Sequence, residues 1–210
     1  MSEMAARLTG KFLVIDGPDG AGKSTQLTRL TDGLRAEGLE VTTTRDPGGT
    51  VIGDRIRDIL LDGRHGEMAV ACETMLYMAS RAQLVEQVVR PALAAGRCVL
   101  CDRFISATVA YQGAGGADEA QILSVGKVAV GDTWPDLTIL LDLDSATGLS
   151  RVGSEPDRME ARGLEFHRRV RDGFLRQAKQ RPDRYAVVDA TGEADEVAQR
   201  IRRVLDAWRF

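Results

Sequence analysis

The chain has 210 residues, of which 43% are apolar and 28% charged; this suits one α/β domain with a full core and is short for two. A formal net charge of −3 argues against a dedicated nucleic-acid binder, whose surface needs a strong basic excess. No apolar run approaches the ~18 residues of a membrane span, and residues 1–10 have neither a long apolar core nor a cleavage pattern, so neither a membrane segment nor a signal peptide is expected.

Phe12 to Ile15 is a continuous apolar run, the pattern of a parallel strand covered on both faces. It leads into Gly17-Pro18-Asp19-Gly20-Ala21-Gly22-Lys23-Ser24-Thr25, a Gly-x4-Gly-Lys-Ser loop. Leu27, Leu30 and Leu34 then mark a helix from Lys23 to about Glu37. Gly17 lets the chain turn sharply, and Gly20 and Gly22 let backbone N–H groups approach an anion. Lys23 suits the β/γ-phosphates, the Ser24 hydroxyl suits Mg²⁺, and the helix N-terminus adds its positive dipole end.

Glu40 to Thr44 reads as a second strand, ended by Arg45-Asp46-Pro47-Gly48-Gly49-Thr50. Ile52, Ile56, Ile59 and Leu60 mark a short amphipathic helix, and residues 61–67 an exposed connection. One long helical segment follows from about Ala69 to Ala95, which Pro91 should kink or end. Cys98 to Cys101 is a third apolar strand; its two thiols are expected on opposite faces, buried and reduced rather than metal-bound.

Asp102-Arg103-Phe104 ends that strand, and Thr108, Tyr111 and Gln112 lead to a break at residues 113–116. Asp118 should cap a helix that Gly131 ends. Leu137 to Asp142 is a fourth strand. The polar stretch 145–163, carrying Arg151 and Arg158, reads as a mobile lid. Phe166, Val170 and Phe174 stripe a helix, Tyr185 to Val188 forms the last strand, and Val197, Ile201, Val204, Leu205 and Trp208 stripe a closing helix. This alternation predicts a three-layer P-loop α/β fold, a parallel sheet with helices on both faces, in a single domain 1–210 with a lid at about 145–163.

Five separated blocks resemble the thymidylate kinase family of the bacterial kind. They are the phosphate loop, Thr44 to Thr50, Glu73-x-x-Leu-Tyr77-x-x-x-Arg81-x-Gln83, Asp102-Arg103-Phe104 with Ala110-Tyr111-Gln112-Gly113, and Asp157-Arg158-Met159-Glu160. The resemblance implies transfer of the γ-phosphoryl of ATP to the 5′-phosphate of dTMP, with Mg²⁺, in a cytoplasmic homodimer making DNA precursors. It places Arg45 and Arg103 on the acceptor phosphate and Asp19 on the sugar 3′-OH. It further implies Tyr77 stacked on thymine, Arg81 donating to the base O4, Thr108 and Gln112 at the base edge, and Tyr111 crowding the sugar 2′ position. Asp102 is expected to hold Mg²⁺ through water or to orient Ser24. Since the loop has no arginine, the lid is expected to supply one, Arg158 ahead of Arg151. Asp46 departs from the usual glutamate and Phe104 from tyrosine or histidine. The residues 153–156 stand where further basic ones are common.

Two other classes are distinguishable. A nucleoside kinase or another nucleoside-monophosphate kinase on the same fold would differ in its acceptor, a hydroxyl acceptor calling for a carboxylate base. A GTP-binding switch would need Asn-Lys-x-Asp to read guanine, and the chain contains no asparagine.

Overall fold

The computed structural model describes residues 2–153 and 156–209. In chain order the elements are α1 (Glu3–Leu8), β1 (Phe12–Asp16), α2 (Lys23–Ala36), β2 (Val41–Arg45), α3 (Val51–Leu61), α4 (Val70–Leu84), α5 (Arg90–Ala94) and β3 (Cys98–Asp102). There follow α6 (Ile105–Ala114), α7 (Glu119–Val130), β4 (Leu137–Asp142), α8 (Ser145–Ser150), α9 (Gly163–Gln180), β5 (Tyr185–Asp189) and α10 (Ala194–Ala207). The five strands pair in parallel in the order β2-β3-β1-β4-β5. The chain leaves the central strand β1 first to one side and later to the other, and the crevice at such a switch point is where open α/β sheets bind ligands.

Alternation along β1 divides the core. Leu13 and Ile15 pack with Leu8 of α1, Leu34 of α2 and Ile201 and Leu205 of α10. Phe12 and Val14 face the other way, against Met78, Leu84, Val109 and Ile122 of α4, α6 and α7. Each such side chain contributes roughly 1.5–3 kcal/mol when fully buried, so slipping the register by one residue exchanges two filled faces and is strongly opposed. Cys98 joins the first core and Cys101 the second, on opposite faces as the strand period requires. A third cluster joins Phe166, Val170 and Phe174 of α9 to Tyr111 and Leu140.

Three elements differ from expectation. Residues 1–10 contain α1, capped by the Ser2 side chain and burying Met4, Ala5 and Leu8. At six residues it is too short for periodicity to reveal. The single helix expected over 69–95 is divided: α4 ends at Leu84, residues Val85–Val89 take a wider π-helical turn, and α5 resumes with Pro91 near its start. Pro91 has no N–H and its ring crowds the carbonyl four residues back, and the wider turn takes up the misfit. The stretch 145–163 opens with the helix α8 and leads by turns to α9; its residues 154 and 155 lie outside the described ones. Asp118 and Gly131 bound α7 as expected.

Candidate active site

The loop 17–22 follows the carboxyl end of β1, and α2 begins at Lys23. Gly22 precedes the helix with φ 85°, a left-handed conformation that glycine adopts without a Cβ penalty. A Cβ on Gly20 would run into the backbone carbonyl of Gly148, and one on Gly148 into that of Asp19. Helix α8 therefore rests on the phosphate loop backbone to backbone. Lys23 donates to Pro18 O at 2.7 Å, folded back over the loop. Burial, reinforced by nearby Arg103, pushes its ammonium down to about 8.

Ser24 Oγ donates to Asp102 Oδ2 at 2.9 Å, so the first turn of α2 and the end of β3 present a hydroxyl and a carboxylate to one place. Two hard oxygen donors beside a phosphate loop fit Mg²⁺, which keeps several waters and takes one or two protein ligands alongside phosphates. Among the described residues no group of three or more His, Cys, Asp or Glu forms a metal cage, and Mg²⁺ in this setting needs none.

Arg103 stands at the centre. Its φ of 67° is a strained value for a residue with a side chain, and its amide donates to Ile15 O at 3.0 Å. This turns the guanidinium back across the loop. Nη1 reaches Asp16 Oδ1 at 3.2 Å and Gly17 O at 2.9 Å; Nη2 reaches Asp19 and, at 3.1 Å, the Tyr111 hydroxyl. Tyr111 in turn donates to Asp19 Oδ2 at 2.7 Å. Burial pushes the Asp19 carboxyl up, but Arg103, Lys23, the Tyr111 hydroxyl and His167 together hold it below the usual carboxylate range. Asp16, fully buried, is instead raised: desolvation outweighs Arg103, the Ser106 hydroxyl at 2.6 Å and the Gly17 amide at 2.9 Å.

A cavity of about 510 Å³ opens from the loop towards α4 and α6. Its lining includes Arg45, Arg57, Tyr77, Arg81, Thr108 and Gln112. Arg45 is half exposed and pairs with Asp54 at 3.2 Å, while Arg57 donates to Pro47 O at 3.0 Å. Arg81 is tied down differently from a free reader of a ligand. Its Nε donates to Asp46 Oδ2 at 2.6 Å, and Nη2 donates to Phe104 O and Thr108 Oγ1 at 3.1 and 3.0 Å. Among the described residues Nη1 meets only the weak acceptor Met78 Sδ, at 3.1 Å. Gln112 donates to Glu73 Oε1 at 2.5 Å.

The two lid arginines separate. Arg151, at the end of α8, lines the cavity with Nη1 3.4 Å from Gly20 O. Arg158 is turned away: it pairs with Glu73 at 2.5 Å and donates to Leu60 O at 2.7 Å. Of the two, Arg151 therefore stands at the loop and Arg158 is held by buried Glu73. Sequence reading also missed Asp16, Arg57, Gly148 and His167. Asp16 had a signal, a carboxylate closing an apolar strand just before the loop.

Strand, phosphate loop, helix, a buried arginine and an arginine-lined cavity beside the loop define a P-loop nucleotide kinase of the nucleoside-monophosphate class. A family model described as thymidylate kinase matches residues 15–201. Thymidylate kinase of Deinococcus radiodurans is 49% identical over 91% of this chain and 94% of that protein, and that of Magnetococcus marinus 44% identical over 97% and 99%. The crystal structure of thymidylate kinase from Ehrlichia chaffeensis superposes with a TM-score of 0.77 at 31% identity, covering 93% of this chain and 98% of that one. The chain belongs to the thymidylate kinase family.

Proposed function

We propose that this protein transfers the γ-phosphoryl group of ATP to dTMP, giving dTDP and ADP on the way to dTTP. The observation that carries the reading is the position of Arg103, between the phosphate loop and a cavity large enough for a nucleotide. Nucleotide pockets measure roughly 300–1,000 Å³, a range that includes this one. A nucleoside monophosphate loses its second phosphate proton near pH 6, so the acceptor is already a nucleophile at neutral pH and needs no general base. What it needs is cancellation of the repulsion between two anions, held in line.

Gly20, Gly22 and the amino end of α2 bind the donor phosphates, and Lys23 leaves Pro18 O for them. Arg45 and Arg103 bind the acceptor phosphate, and Arg151 supplies the lid charge at the transferred group. Ser24 and Asp102 hold Mg²⁺, which when bound neutralises donor charge. Tyr77 stacks on the base, worth roughly 1–3 kcal/mol for such contacts. Nη1 of Arg81, the nitrogen with the weakest acceptor, donates to the base carbonyl. Thr108 and Gln112 bound the base edge, Asp19 receives the sugar hydroxyl, and Tyr111 favours deoxyribose.

Val51, Ile52 and Ile59 of α3 and Met75 of α4 are apolar and exposed, and we assign them to a homodimer contact. No described helix is long and apolar enough to cross a membrane, and the reading places the protein in the cytoplasm. A coupled assay with ATP and dTMP, dUMP, AMP or thymidine tests the function. Turnover fastest with dTMP supports it; turnover of thymidine alone would move the chain to the nucleoside kinases.

A further inference from the structure

His167, on α9, is 1% exposed, and three contacts fix it. Its Nε2 lies 3.2 Å from Glu160 O. A carbonyl oxygen only accepts, so Nε2 carries a proton there. Its own carbonyl accepts from Ser145 Oγ at 3.1 Å. Nδ1 is buried with no hydrogen-bond partner among the described residues, and it faces Asp19 Oδ2 at 3.7 Å. The ring is otherwise enclosed by the edges of Tyr111 and Phe166, with centroids 6.5 and 5.5 Å away.

With Nε2–H committed, a bare Nδ1 would aim a lone pair at a carboxylate inside the protein, where two unshielded acceptors repel and neither is satisfied. A proton on Nδ1 removes both faults. Resting on the kinase reading above, we infer that His167 is a positioning residue: it holds a proton on Nδ1 towards Asp19 and ties this loop acid to residues 145 and 160 of the stretch 145–163. Arg103 and Lys23 are the other cations around Asp19. Both are drawn onto phosphates during turnover. His167 is the cation that stays, beside the Tyr111 hydroxyl that also donates to Asp19 Oδ2, and it keeps the acid from repelling the phosphates.

Two substitutions divide its contacts. His167→Asn can place a donor where Nδ1 stands but loses the Glu160 contact; His167→Gln reaches towards Glu160 O and withdraws the donor from Asp19. We expect His167→Gln and His167→Leu to lower kcat roughly tenfold or more, as loss of a buried charge beside an oriented carboxylate does, with the KM for ATP little changed. His167→Asn should keep most of kcat. Equal losses in Asn and Gln variants of unchanged thermal stability, or no loss in any, would overturn the role. The chain has two histidines, so imidazole nitrogen resonances, assigned with His65→Gln, report the ring directly. Two protonated nitrogens on His167 at neutral pH support the inference, and a bare Nδ1 overturns it. That resonance result stands apart from the acceptor assay: failure of the unaltered protein to use dTMP ends the kinase reading, while the ring's state is still decided.

Discussion

Arg81 and Asp46, 35 residues apart, form an ion pair at 2.5 Å with 1% and 0% of their side chains exposed. Burial pushes the Asp46 carboxyl up against the pull of Arg81. Such a pair is weak evidence of net stability, yet breaking it strands a charge. Asp46→Ala should destabilise the fold by about 3–5 kcal/mol, read as a lower urea midpoint at unchanged slope. Asp46→Glu should keep the pair but overfill the space, at about 1–3 kcal/mol.

Arg103 contacts Asp16, Gly17, Asp19 and Tyr111 at once. Arg103→Ala should lower kcat/KM for dTMP by about 10²–10³, the scale of losing one preorganised charge donor. Arg103→Lys should rescue little, since one ammonium cannot span acceptors on both sides of the loop. Steady-state kinetics of both variants checks this.

Arg151→Ala and Arg158→Ala should fail in different ways. Arg151 touches the loop, so its loss should lower kcat by at least roughly tenfold with little change in Tm. Arg158 neutralises buried Glu73, so its loss should appear first as a Tm lower by several degrees. Paired kinetics and thermal unfolding separate the two.

The three thiols should differ in reactivity. Cys72 is exposed, whereas Cys98 and Cys101 are buried. Desolvation, with nearby Asp136, pushes the Cys98 thiol up to about 12, and the nucleophile is the thiolate. At pH 8 the folded protein should therefore release one equivalent of chromophore from a disulfide reagent, and the urea-unfolded protein three. Fast release of more than one from the folded chain would contradict the burial.

Much of this was legible in the chain. A phosphate loop is contiguous, so its glycines, lysine and serine announce themselves with a strand before and a helix after. The apolar strands and the stripes of α9 and α10 followed from periodicity, whereas α1, which adds Met4, Ala5 and Leu8 to the core, did not. What stayed hidden depends on partners distant in sequence. The capture of Arg158 by Glu73 and of Arg81 by Asp46 exists only once α4 stands beside both segments. His167 sits on the apolar stripe of α9 and carries no local sign that it faces Asp19. Pro91 signals a break in the long helix, but that the break takes the form of a π turn over Val85–Val89 is not spelled out by the residue pattern.

The glycine seat between the loop and α8 also limits how this enzyme can be built. Position 20 has no space for any side chain, so a guanidinium cannot be mounted there. With Arg151 in the role proposed for it, the cation is carried by the same short helix that rests on that seat. Any movement that lifts this helix off the loop would carry Arg151 away from it as well. The seat thus joins two demands in one place: the loop must stay bare at position 20, and this cation must come from the element resting on it.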